Sequence, residues 1–285
     1  MKRVTFTIAF GKRRYKIMAE ALRETMKIYA PDVEFIIFTE DDITPYKKGL
    51  PKGRTLYPKD YKYPKIEIMT KLRDPDTQYL FIDADCFVFC DLDHIYNKIE
   101  PGKLLMHWVY NQDNTWAGIK ELNFVEAWKQ AGFDGLEPYS LNSGFIGWQG
   151  HMECFDKALE LIKGVSITAD DKGKRGDEYY YCAGVQLTKT PVISTEDFDN
   201  ELGMFWRGKI GKEYEKLTCD FYDKTKLIQH YGAHNWANLH VQSLISKALK
   251  SESFAKKTSR LTYTLPTVFI ESLKALRRAI KRKLS

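Results

Sequence analysis

Three short runs near the N-terminus restrict the fold more than any other feature of this chain. Val4 to Phe10 alternates β-branched and aromatic residues and predicts a strand. Tyr15 to Tyr29 predicts a helix that ends before Ala30-Pro31-Asp32. Glu34 to Thr39, built around Phe35-Ile36-Ile37-Phe38, predicts a second buried strand. Strand, helix, strand in that order is a β-α-β opening, which favours a parallel sheet with a right-handed crossover.

The rest of the chain extends the alternation. Residues 41–60 are rich in Pro, Gly, Lys and Asp and read as loop. Lys65 to Leu72 predicts a helix and Tyr79 to Ile82 the next strand. Further strands are expected at Leu104 to Val109, Phe145 to Trp148 and, late in the chain, Leu227 to His230. Helices are expected near 122–131 and 152–163, and no internal repeat or low-complexity block interrupts the pattern. In sheets of this kind ligands bind beyond the carboxyl ends of the strands.

One such end stands out. Tyr79-Leu80-Phe81-Ile82 runs straight into Asp83-Ala84-Asp85. In a continuing strand these two carboxylates point to opposite faces. Where the backbone turns, both can reach one hard cation, and such cations commonly bridge substrate phosphates while taking only one or two carboxylates from the protein. The competing reading is a solvated acidic loop. His230 also falls at a predicted strand end, just before Tyr231-Gly232, where a core or loop histidine is the alternative.

Composition limits the setting. With 285 residues and a hydrophobic fraction of 44%, the chain suits one large globular domain or two small ones. No stretch approaches the length of a transmembrane span. Met1 to Ile8 has a charged start, only a short apolar run and no small-residue cleavage site, so a buried strand is expected there and not a signal peptide. The cysteines at 86, 90, 154, 182 and 219 are odd in number and lack zinc-type spacing, which points to free, mostly buried thiols in a reducing cytoplasm.

Several stretches, in order, resemble the nucleotide-sugar glycosyltransferases of GT-A fold, in particular the retaining group of glycogenin-like and lipopolysaccharide galactosyl- and glucosyltransferases. They are Thr7 to Gly11 with Tyr15, Lys65, Tyr79 to Asp85, Leu141-Asn142-Ser143-Gly144-Phe145, Asp177-Glu178, and His230-Tyr231-Gly232 with Trp236. The resemblance spans roughly residues 4–240 and implies an α/β fold, a Rossmann-like mixed sheet flanked by helices. It implies Mn²⁺ or Mg²⁺ on Asp83, Asp85 and His230, holding a donor diphosphate. It implies a donor site that includes Phe10, Gly11, Tyr15, Lys65, Ala84, Asn142, Ser143, Gly144, Gly232 and His234 besides the two aspartates. Asn142-Ser143-Gly144 is expected as a polar turn that opens onto a strand, and Lys65 as a donor contact, against the alternative of a solvated helix charge.

Asp177 and Glu178 match the place where the group carries an acidic or amide residue near the anomeric carbon, as nucleophile or as electrostatic support for an oxocarbenium-like transition state. The alternative is an acidic first turn of a helix. The group's late lysine and proline are missing from His230-Tyr231-Gly232-Ala233-His234-Asn235-Trp236. Either His234 takes over the phosphate contact or other groups hold the phosphates. In 110–140, Trp116, Trp128 and Tyr139 suggest a wall against which an acceptor sugar packs, or simply core aromatics.

The charge is unevenly spread. From Lys250 onward there are ten basic and two acidic residues, whereas the first 249 residues carry 34 basic and 36 acidic ones. Phe269, Leu273, Leu276, Ile280 and Leu284 follow helical spacing among Lys and Arg. A domain over 1–249 is therefore expected, with a basic amphipathic helix over 250–285 that lies on an anionic membrane or docks on the body. Nucleic acid is not expected, because no recognition motif accompanies the charge.

The expected activity is sugar transfer from a UDP-sugar to a glycan or lipid-linked acceptor, by a cytoplasmic enzyme on the inner membrane face. The alternatives are a sugar nucleotidyltransferase, against which the single glycine in Ala9-Phe10-Gly11-Lys12 argues, and a non-catalytic membrane-associated assembly protein.

Overall fold

The computed structural model describes residues 1–10, 13–42, 62–88, 91–108, 125–126, 128–137, 141–164, 177–194 and 228–230. They form a mixed α/β structure. The strands are β1 (Lys2–Ile8), β2 (Glu34–Phe38), β3 (Thr77–Ile82), β4 (Cys86–Val88), β5 (Leu104–Trp108), β6 (Leu141–Gln149), β7 (Val192–Ser194) and β8 (Ile228–His230). The helices are α1 (Arg13–Tyr29), α2 (Lys62–Lys71), the single turn α3 (Asp93–Tyr96), α4 (Glu153–Gly164) and α5 (Glu178–Thr188). Residues 125–126 and 128–130 are also helical.

The chain divides into two compact units. One consists of Met1–Gly11, Ile36–Ile82 and Asp93–Asp197. It is built on a six-stranded sheet of order β2-β1-β3-β6-β5-β7. β1 and β3 are parallel, β6 is antiparallel to both β3 and β5, and β5 is parallel to β7. All six residues of β3 are buried, as a strand covered on both faces must be.

The alternation of β1 sorts its residues between those faces. Val4 and Phe6 join Tyr79, Phe81, Ile146 and Trp148 in the main core, with Met69 from α2, Phe155 from α4 and Tyr181 from α5. Trp148 stacks on Tyr79 at 5.3 Å and meets Phe155 edge-on at 4.9 Å. Thr5 is buried too, and its hydroxyl shares a 2.8 Å hydrogen bond with the Tyr96 hydroxyl of α3. Helices α4 and α5 approach so closely at Gly184 that a Cβ there would stand 2.5 Å from the Cys154 carbonyl oxygen, so only glycine fits.

The other unit contains Lys12–Phe35, Asp83–Leu92 and, among the described residues beyond Phe198, β8. β4 and β8 form an antiparallel pair, and α1 packs against β4. The Val88 amide donates to the Thr25 hydroxyl of α1 at 3.2 Å, which ties strand to helix.

The expected strands and helices are present among the described residues, with ends shifted by a few residues; residues 109, 122–124, 127 and 227 of the expected elements lie outside them. One expectation is corrected: Asn142-Ser143-Gly144 is no turn but lies inside the nine-residue strand β6. Flanking apolar residues carry the strand through it, since Leu141 and Ser143 are buried and Phe145 pairs with Ile82 of β3. Among the described residues no helix is long and apolar enough to cross a membrane. The basic segment 250–285 and residues 43–61 lie outside the described residues.

Candidate active site

Asp83 follows the last residue of β3, and the chain then turns through Ala84 and Asp85 before β4 begins at Cys86. The acidic pair thus occupies a strand-to-strand turn, not a straight extension of β3. Asp83 is half-buried, Ala84 is buried and Asp85 is 9% exposed. A solvated acidic loop exposes its carboxylates far more than this. In the β4–β8 ladder Cys86 pairs with His230, Phe87 with Gln229 and Val88 with Ile228. The backbone of His230 therefore lies opposite the residue that follows Asp85.

Two carboxylates and an imidazole form the donor set that a Mn²⁺ or Mg²⁺ ion takes when it also binds phosphate oxygens. The His230 side chain is outside the described residues. Among those described, no three His, Cys, Asp or Glu side chains converge on a point that would hold a metal.

A second group of polar residues gathers in the unit built on the six-stranded sheet. Lys65 stands near the start of α2 yet is only 4% exposed. Its Nζ donates to the backbone carbonyl of Ser143 and lies 3.1 Å from Asp177 Oδ2. The same ammonium sits 4.2 Å from the centre of the Phe81 ring, a cation–π contact. Ser143 Oγ donates to Asp177 Oδ2 at 2.8 Å. The three residues close a ring, with Ser143 holding the cation by its carbonyl and the anion by its hydroxyl.

Asp177 occupies the N-cap position of α5 but makes no side-chain bond to that helix. An aspartate there usually accepts from its own helix's free N–H groups. Here only its carbonyl serves α5, accepting from the Tyr180 and Tyr181 amides at 3.0 and 3.3 Å, while the carboxylate turns to Lys65 and Ser143. The Lys65 and Asp177 side chains are 6% and 8% exposed. A buried pair offsets its desolvation only with good geometry and extra hydrogen bonds, which Ser143 supplies on both sides.

β6 is irregular where it meets this ring. Met106 of β5 pairs with Ile146, whereas the next residue, His107, pairs with Asn142. The register of β6 against β5 thus shifts across Ser143–Phe145, while Phe145 keeps its register with Ile82 of β3. Bulges of this kind re-aim side chains and peptide groups and are frequent beside active sites.

The remaining sequence-predicted residues are dispersed. Phe10 follows β1 and is buried in the core cluster. Tyr15 belongs to α1, half-buried, with its hydroxyl accepting from Arg14 Nη2 at 3.1 Å. Glu178 is the first residue of α5 and half-buried. Asn142 lies in β6 by its backbone, and Gly11, Gly232 and His234 lie outside the described residues.

Two alternative readings fall to burial. Lys65 is not a solvated helix charge. Trp128 is fully buried, with Phe133 and Tyr180 edge-on at 5.3 and 5.8 Å, so it is core and not an acceptor wall. Trp116 and Tyr139 are outside the described residues. Cys86, Cys154 and Cys182 are free and buried, as expected, and burial pushes the Cys154 thiol up to about 12, leaving it unreactive. The ring of Lys65, Ser143 and Asp177 is a contact that sequence reasoning missed. Its members lie 78 and 34 residues apart, and no local pattern in the sequence marks the contact.

No family model and no curated protein matches this chain. Solved structures do. Its structural neighbours are glycosyltransferases. An active-site mutant of LgtC is 12% identical over 86% of this chain and 95% of LgtC, with a TM-score of 0.47. WbbM, a bifunctional glycosyltransferase, is 11% identical over 90% of this chain, which spans half of WbbM, with a TM-score of 0.49. GlyE of Streptococcus pneumoniae TIGR4 is 13% identical over 95% of this chain and 64% of GlyE, with a TM-score of 0.45. These values describe similarity in the course of the chain and give no residue a role.

Proposed function

We propose that this chain is a metal-dependent glycosyltransferase. It moves a sugar from a nucleotide diphosphate donor, a UDP-sugar, to a glycan or glycolipid acceptor with retention at the anomeric carbon. The observation that carries the reading is the β4–β8 register, which sets His230 across from Cys86 and so beside the Asp83-Ala84-Asp85 turn. The backbones of residues far apart in sequence are thereby brought together.

Asp83, Asp85 and His230 would hold Mn²⁺ or Mg²⁺. When bound, the cation supplies Lewis-acid stabilisation of the negative charge on the departing nucleoside diphosphate. The residues assigned to the donor are Lys65, Asn142, Ser143 and Gly144. Asp177 and Glu178 supply negative charge to an oxocarbenium-like transition state, an electrostatic role. The tail over 250–285 supports a place on the inner face of an anionic membrane, each basic residue contributing about 1 kcal/mol near the surface.

Calorimetry with UDP, with and without Mn²⁺, tests the central claim, together with hydrolysis assays over a panel of nucleotide sugars. UDP binding that requires Mn²⁺ and hydrolysis of at least one UDP-hexose are expected. Absence of UDP binding in either condition would sink the reading. For the tail, a chain ending at Arg260 should lose its binding to phosphatidylserine vesicles, and undiminished binding refutes the membrane role.

A further inference from the structure

Ser143 commits its one hydroxyl proton inside the protein. The residue is 5% exposed, and its Oγ donates to Asp177 Oδ2 at 2.8 Å. The same carboxylate oxygen lies 3.1 Å from the Lys65 ammonium. We propose that Ser143 is a specificity-determining residue: its hydroxyl meets the transferred hexose as an acceptor only, and it therefore selects a sugar whose hydroxyl can donate at that point.

The basis is the hydrogen-bonding capacity of a hydroxyl. A serine side chain has one O–H donor and two acceptor lone pairs, whereas an ammonium has donors and no acceptor. Asp177 Oδ2, set between the Lys65 ammonium and Ser143 Oγ, accepts from both sides. The Ser143 proton is thereby held on Asp177, and the lone pairs of Oγ point elsewhere. Among the described residues no group donates to them. A hydrogen bond to a carboxylate is about twice as strong as one between neutral groups, so a sugar hydroxyl does not draw the Ser143 proton to itself. Donation to Asp177 also polarises Oγ and strengthens it as an acceptor. Lys65 belongs to the donor site as well, and its part here is to hold Asp177 as the acceptor of the Ser143 proton.

The consequence is chemical selection. A sugar hydroxyl both donates and accepts, whereas a fluorine in its place donates nothing. A site built to hydrogen-bond a hydroxyl rejects an analogue lacking it far more strongly than an apolar pocket rejects a change of one methylene. This selection rests on the glycosyltransferase reading, which places Ser143 in the donor site.

Calorimetry in the presence of Mn²⁺ tests it on the wild-type protein and Ser143→Ala. The probes are UDP, UDP-glucose, UDP-galactose and the analogues of both sugars with one hydroxyl at a time replaced by fluorine. At one position fluorine should weaken binding to the wild type about tenfold, the loss expected when a buried acceptor is left without its donor. In Ser143→Ala the parent and that same analogue should bind within about twofold of each other, because the group that told them apart is gone. A merely structural effect of the substitution would weaken the parent and every analogue alike and leave the fluorine penalty in place. That result overturns the proposal, as does a wild-type protein that tolerates fluorine at every position. No binding of UDP or of either parent sugar nucleotide to the wild type sinks the glycosyltransferase reading and the selection with it. Binding of UDP or of a parent without the Ser143-dependent penalty sinks the selection alone.

Discussion

The acidic turn at Asp83-Ala84-Asp85 and the buried ring of Lys65, Ser143 and Asp177 place charge in the protein by opposite means. The turn is assembled from adjacent residues, and its chemistry follows from local spacing at a strand end. The ring is assembled over 78 residues between Lys65 and Ser143 and 34 between Ser143 and Asp177, and each charge meets its counter-charge inside the protein. A turn proposed to accept an external cation brings like charges together. A site that must hold a geometry neutralises itself. Sequence adjacency therefore marks the first kind and conceals the second.

The sharpest way to break this contrast is to remove charge from the turn. Asp83→Ala or Asp85→Ala should lower transfer by two or more orders of magnitude and abolish Mn²⁺-dependent UDP binding. Tm should stay within a few degrees. A large loss of Tm with metal-dependent UDP binding intact would show that the turn is structural after all.

The next effect concerns the ring. Ser143→Ala deletes the hydroxyl but spares the carbonyl, so Lys65 and Asp177 keep each other. Chemical denaturation should show a loss of about 1 kcal/mol, the usual net worth of one hydrogen bond. A loss of about 3–5 kcal/mol, the cost of leaving one buried charge unpaired, would mean that the ion pair contributes nothing by itself.

The smallest effect serves as a control on the opposite face of the sheet. Burial raises the Tyr96 hydroxyl above its ordinary value of 10.0, with the Thr5 hydrogen bond and Arg3 acting the other way. In the folded chain Tyr96 keeps its proton at a pH where the unfolded chain loses it. Unfolded chains then bind fewer protons, so stability falls as pH rises above about 10. Tyr96→Phe should be slightly less stable at neutral pH, through loss of the Thr5 bond, and should decline less steeply between pH 10 and 11. An identical alkaline decline in both proteins would refute the assignment.

Much of the fold was legible because hydrophobic periodicity is local. The first three elements, the fully buried β3 and the amphipathic α4 all announce themselves in runs of a few residues. What stayed hidden was tertiary. Asn142-Ser143-Gly144 has the composition of a turn, yet pairing with β3 and β5 draws it into β6. Lys65 has the composition of a surface charge, yet Asp177 and Phe81 make burial possible. Strand β4 was missed as an element because three residues are too few to show a period, and it forms only with β8 as partner. Asp83-Ala84-Asp85 and His230 fall at strand ends, as their sequence context predicts, whereas the partners of Asp177 could not be read from any local pattern.

The strand order has a consequence for how the protein is made. β6 lies between β3 and β5 in the sheet but follows both in the chain. While the chain emerges from a ribosome, β3 can join β1 at once, but its second edge, bearing Tyr79-Leu80-Phe81-Ile82, has no partner until residue 149 has been synthesised. An apolar strand edge held open during translation is a template for pairing with another nascent chain. Growth at lower temperature or with added chaperone should therefore raise the soluble yield more for this topology than for one whose strands pair in chain order.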